Sequence, residues 1–142
     1  MTVQNMEDFR ALDPFFRVIE EGLAGLVDGR HFFDLLADDV VFEFIITVPG
    51  YPRVVTGREN LIELYRGYQS GFVLDRCFDL RVHRGDDSTV TLEYASEGRA
   101  VATGRPYGNQ YISVITIRNR KIAGWRDYLD PLRVFDALEG SA

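Results

Sequence analysis

Asp127 is the residue whose type and neighbours most clearly suit it to chemistry. It lies in Gly124-Trp125-Arg126-Asp127-Tyr128-Leu129. Side chains alternate between the two faces of a strand, so Trp125, Asp127 and Leu129 share one face and Arg126 and Tyr128 the other. Burying a carboxylate between Trp and Leu disfavours its charged form and raises its pKa, which suits a general acid or base working near neutral pH. The competing reading is a carboxylate fixed by hydrogen bonds or an arginine that only orients its strand.

The other reactive types carry weaker patterns. His83 alternates with Asp79 and Arg81, opposite Phe78, Leu80 and Val82, which places it on a solvent side. His31 opens a short helical segment. Neither histidine has a serine or cysteine in a nucleophile arrangement. Cys77 falls on the polar side of the strand that holds Phe78 and has no sequence context that would activate a thiolate. As the single cysteine, it cannot close an intrachain disulfide, and no Cys/His cluster has zinc-site spacing. No metal and no cofactor are expected. Gly104-Arg105-Pro106-Tyr107-Gly108 reads as a turn rather than a phosphate-binding loop, and Arg118-Asn119-Arg120-Lys121 as a solvated hairpin tip.

Composition bounds what these residues can serve. The chain has 142 residues, 46% hydrophobic and 27% charged, an ordinary globular make-up for one domain over residues 1–142. A domain of this size buries about 68–70% of the surface that its unfolded chain exposes, enough for a core with a pocket in it. A net charge of −6 argues against nucleic acid and against an anionic membrane surface as partners. MTVQNMEDFR lacks the basic start and apolar run of a secretion signal. No apolar run approaches the ~20 residues that span a bilayer. A cytoplasmic protein is expected.

The elements that must position Asp127 follow from periodicity. Phe9, Leu12, Phe16, Ile19, Leu23, Leu26 and Val27 recur at helical steps. Asp13 is the expected N-cap, with Pro14 at the first helical position, and Asp28-Gly29 the stop, Gly29 being the left-handed cap. A short helix is expected from His31 to Leu36 and a strand from Val40 to Val48. After Val54-Val55, a third helix runs from about Arg58 to Gln69, apolar at Leu61, Ile62, Leu64 and Tyr65. Strands follow at Phe72–His83, Ser88–Glu97, Arg105–Arg118 and Lys121–Tyr128. Gly85-Asp86-Asp87 separates the first two, and Asn119-Arg120 forms a tight hairpin turn between the last two. A helix from Pro131 to Leu138 closes the chain. Helices ahead of a meandering sheet make this an α+β protein: a curved, mixed sheet wrapped around N-terminal helices as a cone with a pocket inside.

Four segments resemble one family. Lys121 to Asp130 looks like the last strand of the SnoaL-like branch of the nuclear transport factor two-like superfamily, which shares the ketosteroid isomerase-like fold. Leu36-Ala37-Asp38-Asp39-Val40, Thr56-Gly57-Arg58-Glu59 and Thr103-Gly104-Arg105-Pro106-Tyr107 agree with it in order. Trp125-Arg126-Asp127-Tyr128 is most similar to the limonene-1,2-epoxide hydrolases, which use an Asp–Arg–Asp group with a Tyr and an Asn. Asp127 matches one aspartate, but Tyr94 and Ser96 stand where the arginine and second aspartate belong, and Phe42 and Phe44 where the Tyr and Asn belong. The ketosteroid isomerase base falls on Phe44, with Glu43 facing the other way, and its first-helix tyrosine has only Phe16 and Leu23 to match. The resemblance to SnoaL cyclases, which use one aspartate on the last strand, leaves Asp127 that role.

With the register that this resemblance implies, the inward set is Phe42, Phe44, Tyr94, Ser96, Asn109, Tyr111 and Ser113. The catalytic set it implies is Asp127 as acid/base with Tyr94, Tyr111 and Asn109 as polarising donors. Phe16, Phe42, Phe44, Ser96, Trp125 and Leu129 would contact the substrate. The implied function is a cofactor-independent isomerase, cyclase or hydratase acting on a small hydrophobic polyketide-, terpenoid- or steroid-like ligand. Two alternatives stay open: a hydrophobic-ligand-binding protein without chemistry, and an interaction module whose cone is filled by Phe42, Phe44 and Trp125. Family habit and strands apolar on both faces, such as Tyr111–Ile117, imply a homodimer.

Overall fold

Strand-forming residues dominate the second half of the chain, and there the backbone pairs into long antiparallel ladders: β3 (Phe72–Arg84), β4 (Thr89–Ala100), β5 (Pro106–Arg118) and β6 (Lys121–Leu129). The computed structural model describes residues 6–86 and 88–139. Asp87, the end of the turn expected after β3, and residues 1–5, part of the start read for a secretion signal, lie outside the described residues. β1 (Leu36–Ile46) and β2 (Val54–Thr56) complete an open sheet of order β2-β1-β6-β5-β4-β3. Only the β1–β6 pairing is parallel. With helices α1 (Asp13–Gly22), α2 (Arg58–Arg66) and α3 (Pro131–Leu138), this is the α+β cone architecture. None of these helices is long and apolar enough to cross a membrane.

The hairpin between β5 and β6 turns on Asn119 and Arg120, with φ of 53° and 60°. Positive φ at both central residues is the type I′ geometry whose twist matches the flanking strands.

Several boundaries differ from expectation. A 3-10 helix, Met6–Leu12, feeds directly into α1, so Leu12 takes the cap position and Asp13 is already helical. Pro14 stays harmless, since donors in the first turn lack intrahelical partners. α1 ends at Gly22, and the left-handed glycine that follows is Gly25 (φ 84°) rather than Gly29. Gly29 answers a close approach instead: a Cβ there would lie 2.9 Å from the Asp34 carbonyl carbon. The second helix shrinks to a 3-10 turn, Phe32–Leu35, where the His31 ring accepts from the Asp34 N–H through Nδ1 at 3.3 Å. α2 stops at Arg66, before the helix-disfavouring Gly67, and a separate 3-10 turn spans Tyr68–Ser70.

β3 contains the largest departure. Its register against β4 shifts between Leu74 and Arg76 and again between Phe78 and Arg81, where Asp79 has φ 57°. Strict alternation fails at both places. Cys77 therefore turns inward opposite Ser96, and Phe78 turns outward beneath the Arg76 guanidinium, 4.0 Å from its ring centre. Gly98 sits opposite the first shift, where a Cβ would come within 2.0 Å of the Val73 carbonyl oxygen, so only glycine fits. His83 stays exposed, facing the Glu93 carboxylate.

The core lies between the sheet's inner face and the helices. Phe16 stacks on Phe32 with ring centres 4.6 Å apart, and Phe42 stacks on Trp125 at 4.8 Å. These rings close one end of the cone.

Candidate active site

The sheet register sets inward side chains in rows. Phe42, Trp125, Ile115 and Val90 form one row; Phe44, Asp127, Ser113 and Leu92 the next; Leu129, Tyr111 and Tyr94 a third. Asn109, Ser96 and Cys77 form a fourth. Beside the second and third rows a cavity of about 320 Å³ remains, within the range of small-molecule sites.

Phe44, Tyr94, Tyr111, Asp127 and Leu129 line this cavity. The other sequence-derived candidates lie outside its lining. Phe42 and Trp125 plug the end beneath it, stacked on each other and fully buried. Phe16 is buried against Phe32 and Phe33, and its neighbour Phe15 lines the cavity instead. Ser96 bonds the Tyr111 hydroxyl from behind. Asn109 is a structural bracket. Its amide donates to the Tyr107 hydroxyl and the Asp130 carbonyl, while its Oδ1 accepts from the Gln110 and Asp130 N–H groups. That uses the donors and acceptor an electrophilic role would need.

Asp127 is held through one oxygen. Its Oδ1 accepts from Trp125 Nε1 at 2.9 Å and from Ser113 Oγ at 3.0 Å. Its Oδ2 takes no hydrogen bond from the described residues and is not sealed in the core. Burial pushes this carboxyl up to about 6, and the two bonds to its charged form hold it from rising further. Among the described residues no Arg, Lys or His lines the cavity, so no cation there would compensate an anion.

Six tyrosines line the cavity: Tyr51, Tyr65, Tyr68, Tyr94, Tyr107 and Tyr111. Burial raises the hydroxyl pKa of each, so all are neutral donors at working pH. Their hydroxyls fall into two groups. Tyr94 pairs with Ser113 Oγ at 2.8 Å, while Tyr111 joins Ser96 at 2.9 Å and Tyr107 at 3.4 Å. Tyr51, Tyr65 and Tyr68 form no hydrogen bond with the described residues, yet none of their oxygens is sealed away.

Those three are residues that the sequence reading did not place in the site. Tyr51 arrives from the β1–β2 loop and Tyr65 from α2, whose apolar stripe does include it. Cys77 also lines the cavity, where burial pushes its thiol up to about 12. It is a neutral, unreactive wall.

Comparison with known proteins agrees with this architecture. The chain is 34% identical over 115 residues to the protein YesE of Bacillus subtilis, covering 80% of this chain and 78% of YesE. It is 30% identical over 125 residues to the PhzA/B-like protein PA3332 of Pseudomonas aeruginosa, covering 87% and 84%. A crystal structure from Bacillus subtilis, named as a candidate isomerase, superposes with a TM-score of 0.74 at 30% identity over 98% of both chains. The model of the SnoaL-like domain matches residues 15–125, and on that span, with the cone fold around it, the chain belongs to the SnoaL-like family.

Proposed function

We propose that this protein is a cofactor-independent enzyme that moves a proton on a neutral, hydrophobic carbonyl compound, a reaction of the isomerase or cyclase type. The observation that carries this reading is Asp127: a desolvated carboxyl with Oδ1 fixed by Trp125 and Ser113 and Oδ2 left free beside an aromatic cavity. A base held by one oxygen keeps its orientation while the other oxygen exchanges a proton. In the forward step, Oδ2 takes a proton from the carbon next to the carbonyl and its C–H electron pair becomes the enolate. In an isomerisation, the same oxygen returns the proton to a different carbon. In a cyclisation, the enolate carbon attacks a second carbonyl, and the proton goes to the new alkoxide. The structure named as a candidate isomerase supports this class.

The lining sets the substrate class. An anionic substrate would meet a carboxylate and no compensating cation, a penalty that grows in a site shielded from water. A neutral ring ketone of modest size fits the apolar walls and the volume. The protein works as a homodimer in this reading, through the outer sheet face where Ile112, 42% exposed, pairs with Tyr128; light scattering on the eluted protein reads this directly.

The test uses β-tetralone, a neutral ring ketone with acidified α-hydrogens, in deuterated buffer. Proton NMR should show exchange faster than buffer alone, and Asp127→Asn should lose roughly 100-fold or more of that rate. Equal rates for the two proteins, with β-tetralone still raising the melting temperature, would replace the enzyme by a ligand-binding protein.

A further inference from the structure

We infer that Tyr51 and Tyr65 form the oxygen-binding site of this cavity, the pair of hydroxyls that would grip the carbonyl oxygen of a bound ligand. The oxygen's place in a reaction rests on the acid/base reading of Asp127; the binding site itself does not.

Proton arithmetic removes the nearest competitor. Ser113 has one hydroxyl hydrogen, and when Asp127 is ionised that hydrogen goes to the carboxylate. Ser113 Oγ must then accept from Tyr94, which spends the single hydrogen of Tyr94. In the state that begins a proton abstraction, Tyr94 has nothing to offer a ligand. Tyr94 and Ser113 are positioning residues that hold the base. Tyr107 and Tyr111 share a hydroxyl network with Ser96 and Asn109.

Packing seats the rings of two of the three untied tyrosines on the aromatic neighbours of Asp127. The Tyr51 ring meets Phe44 edge-on at 5.1 Å, and Phe44 is the cross-strand partner of Asp127. The Tyr65 ring meets Phe42 edge-on at 6.4 Å, and Phe42 stacks on the Trp125 that holds Asp127. Both tyrosines therefore rest on the aromatic residues flanking the carboxylate. Burial raises both hydroxyls, and the nearby Asp127 carboxylate adds to the rise. Tyr68, also untied, sets its ring on Phe72 at 6.0 Å rather than on Phe42 or Phe44. A hydroxyl with no protein partner in an apolar cavity gains most from a ligand oxygen, because it gives up no internal bond to bind it. Its donation strengthens as that oxygen becomes an enolate, which is the requirement for favouring a transition state over a ground state.

The probe is 4-nitrophenolate, whose oxyanion imitates an enolate and whose absorbance reports binding. The measurement is made in an Asp127→Asn background at a pH where the probe is ionised, so that the anion meets no like charge. Tyr51→Phe and Tyr65→Phe should each weaken binding by about tenfold, the loss of one hydrogen bond to a charged group. Tyr68→Phe and Tyr94→Phe should stay within about threefold, since the Tyr68 ring rests on Phe72 rather than on the neighbours of Asp127 and Tyr94 has spent its hydrogen on Ser113. Thermal melts of the Phe variants, which keep the ring, check folding, and Tyr51→Phe alone decides the matter if the α2 variant is unstable. Unchanged affinity in Tyr51→Phe and Tyr65→Phe, a tenfold loss in Tyr94→Phe, or no binding of the probe at millimolar concentration would each overturn the assignment. Because no turnover is measured, retained dependence on Tyr51 and Tyr65 beside a failed exchange assay would remove the acid/base reading and leave the oxygen site standing.

Discussion

The two walls of the cavity are built on different terms. On the sheet side, hydroxyls are tied into the protein: Tyr94 to Ser113, Ser113 to Asp127, Tyr111 to Ser96. On the side of the helices and the β1–β2 loop, Tyr51, Tyr65 and Tyr68 keep hydroxyls with no partner among the described residues. The tied wall is preorganised: Tyr94 and Ser113 are spent on holding Asp127, which leaves its Oδ2 free to face a ligand. The untied wall holds its donors by ring packing alone, which leaves the polar ends for whatever enters. Division of this kind separates holding a base from binding a substrate, and it can be broken from either side.

The strongest test of the tied wall is the price of its carboxylate. An unfolded aspartate releases its proton near ~3.9, whereas folded Asp127 keeps it until about 6. Between those values the native state binds more protons than the unfolded one, so stability falls as pH rises through that window and stays reduced above it. Asp127→Asn keeps an acceptor for Trp125 and Ser113 and removes the buried charge. It should therefore be more stable than the parent at pH 8, by up to about 3 kcal/mol, and near parity at pH 4. Urea unfolding at the two pH values reads the difference. A variant less stable at pH 8 would mean that Asp127 is held as a contented anion, and the wall would lose its claim to a poised base.

The comparison sharpens with paired tyrosines. Tyr94→Phe deletes a hydroxyl that serves Ser113 and should cost about 1 kcal/mol, with the Ser113 oxygen left short of a donor. Tyr65→Phe deletes a hydroxyl that serves no described residue and should fall within about 0.5 kcal/mol of the parent, or stabilise it slightly. Chemical denaturation of both, with the ring retained in each, isolates the hydroxyl. Equal losses would mean that the two walls are tied alike.

The same division marks what the sequence could tell. Alternation along β4, β5 and β6 puts Tyr94, Tyr111, Asp127 and Leu129 on the inner face, and the β1 alternation does the same for Phe44. Period two gives a face but not a depth. Phe42, Trp125, Ser96 and Asn109 share that face in rows beside the cavity rather than on it. On α1 the apolar stripe correctly buries Phe16, yet Phe15, on its flank, reaches the cavity. Tyr51 sits in a loop, where no periodicity predicts direction. Tyr65 is visible as an apolar-face residue, but nothing in one sequence shows which element its helix covers. The first β3 register shift lies opposite Gly98 of β4, a long-range fact that reverses Cys77 and Phe78.

Cys77 gives the smallest effect and a fine check on where the cavity wall runs. Leu92, on the same inner face of the sheet, is fully buried, and trimming such a residue to Ala leaves a void that typically costs about 2–5 kcal/mol. The Cys77 thiol instead borders space that is already open. Deleting its sulfur creates no new sealed cavity, only the loss of a small apolar group, so Cys77→Ala should cost about 1 kcal/mol or less. The native thiol, pushed up to about 12, should also react slowly with iodoacetamide at pH 8 and quickly once urea unfolds the chain, because the thiolate is the reacting form. A Cys77→Ala loss as large as that of Leu92→Ala would place the sulfur in packed core. The inner wall would then begin nearer to Asp127 than the β3 register puts it.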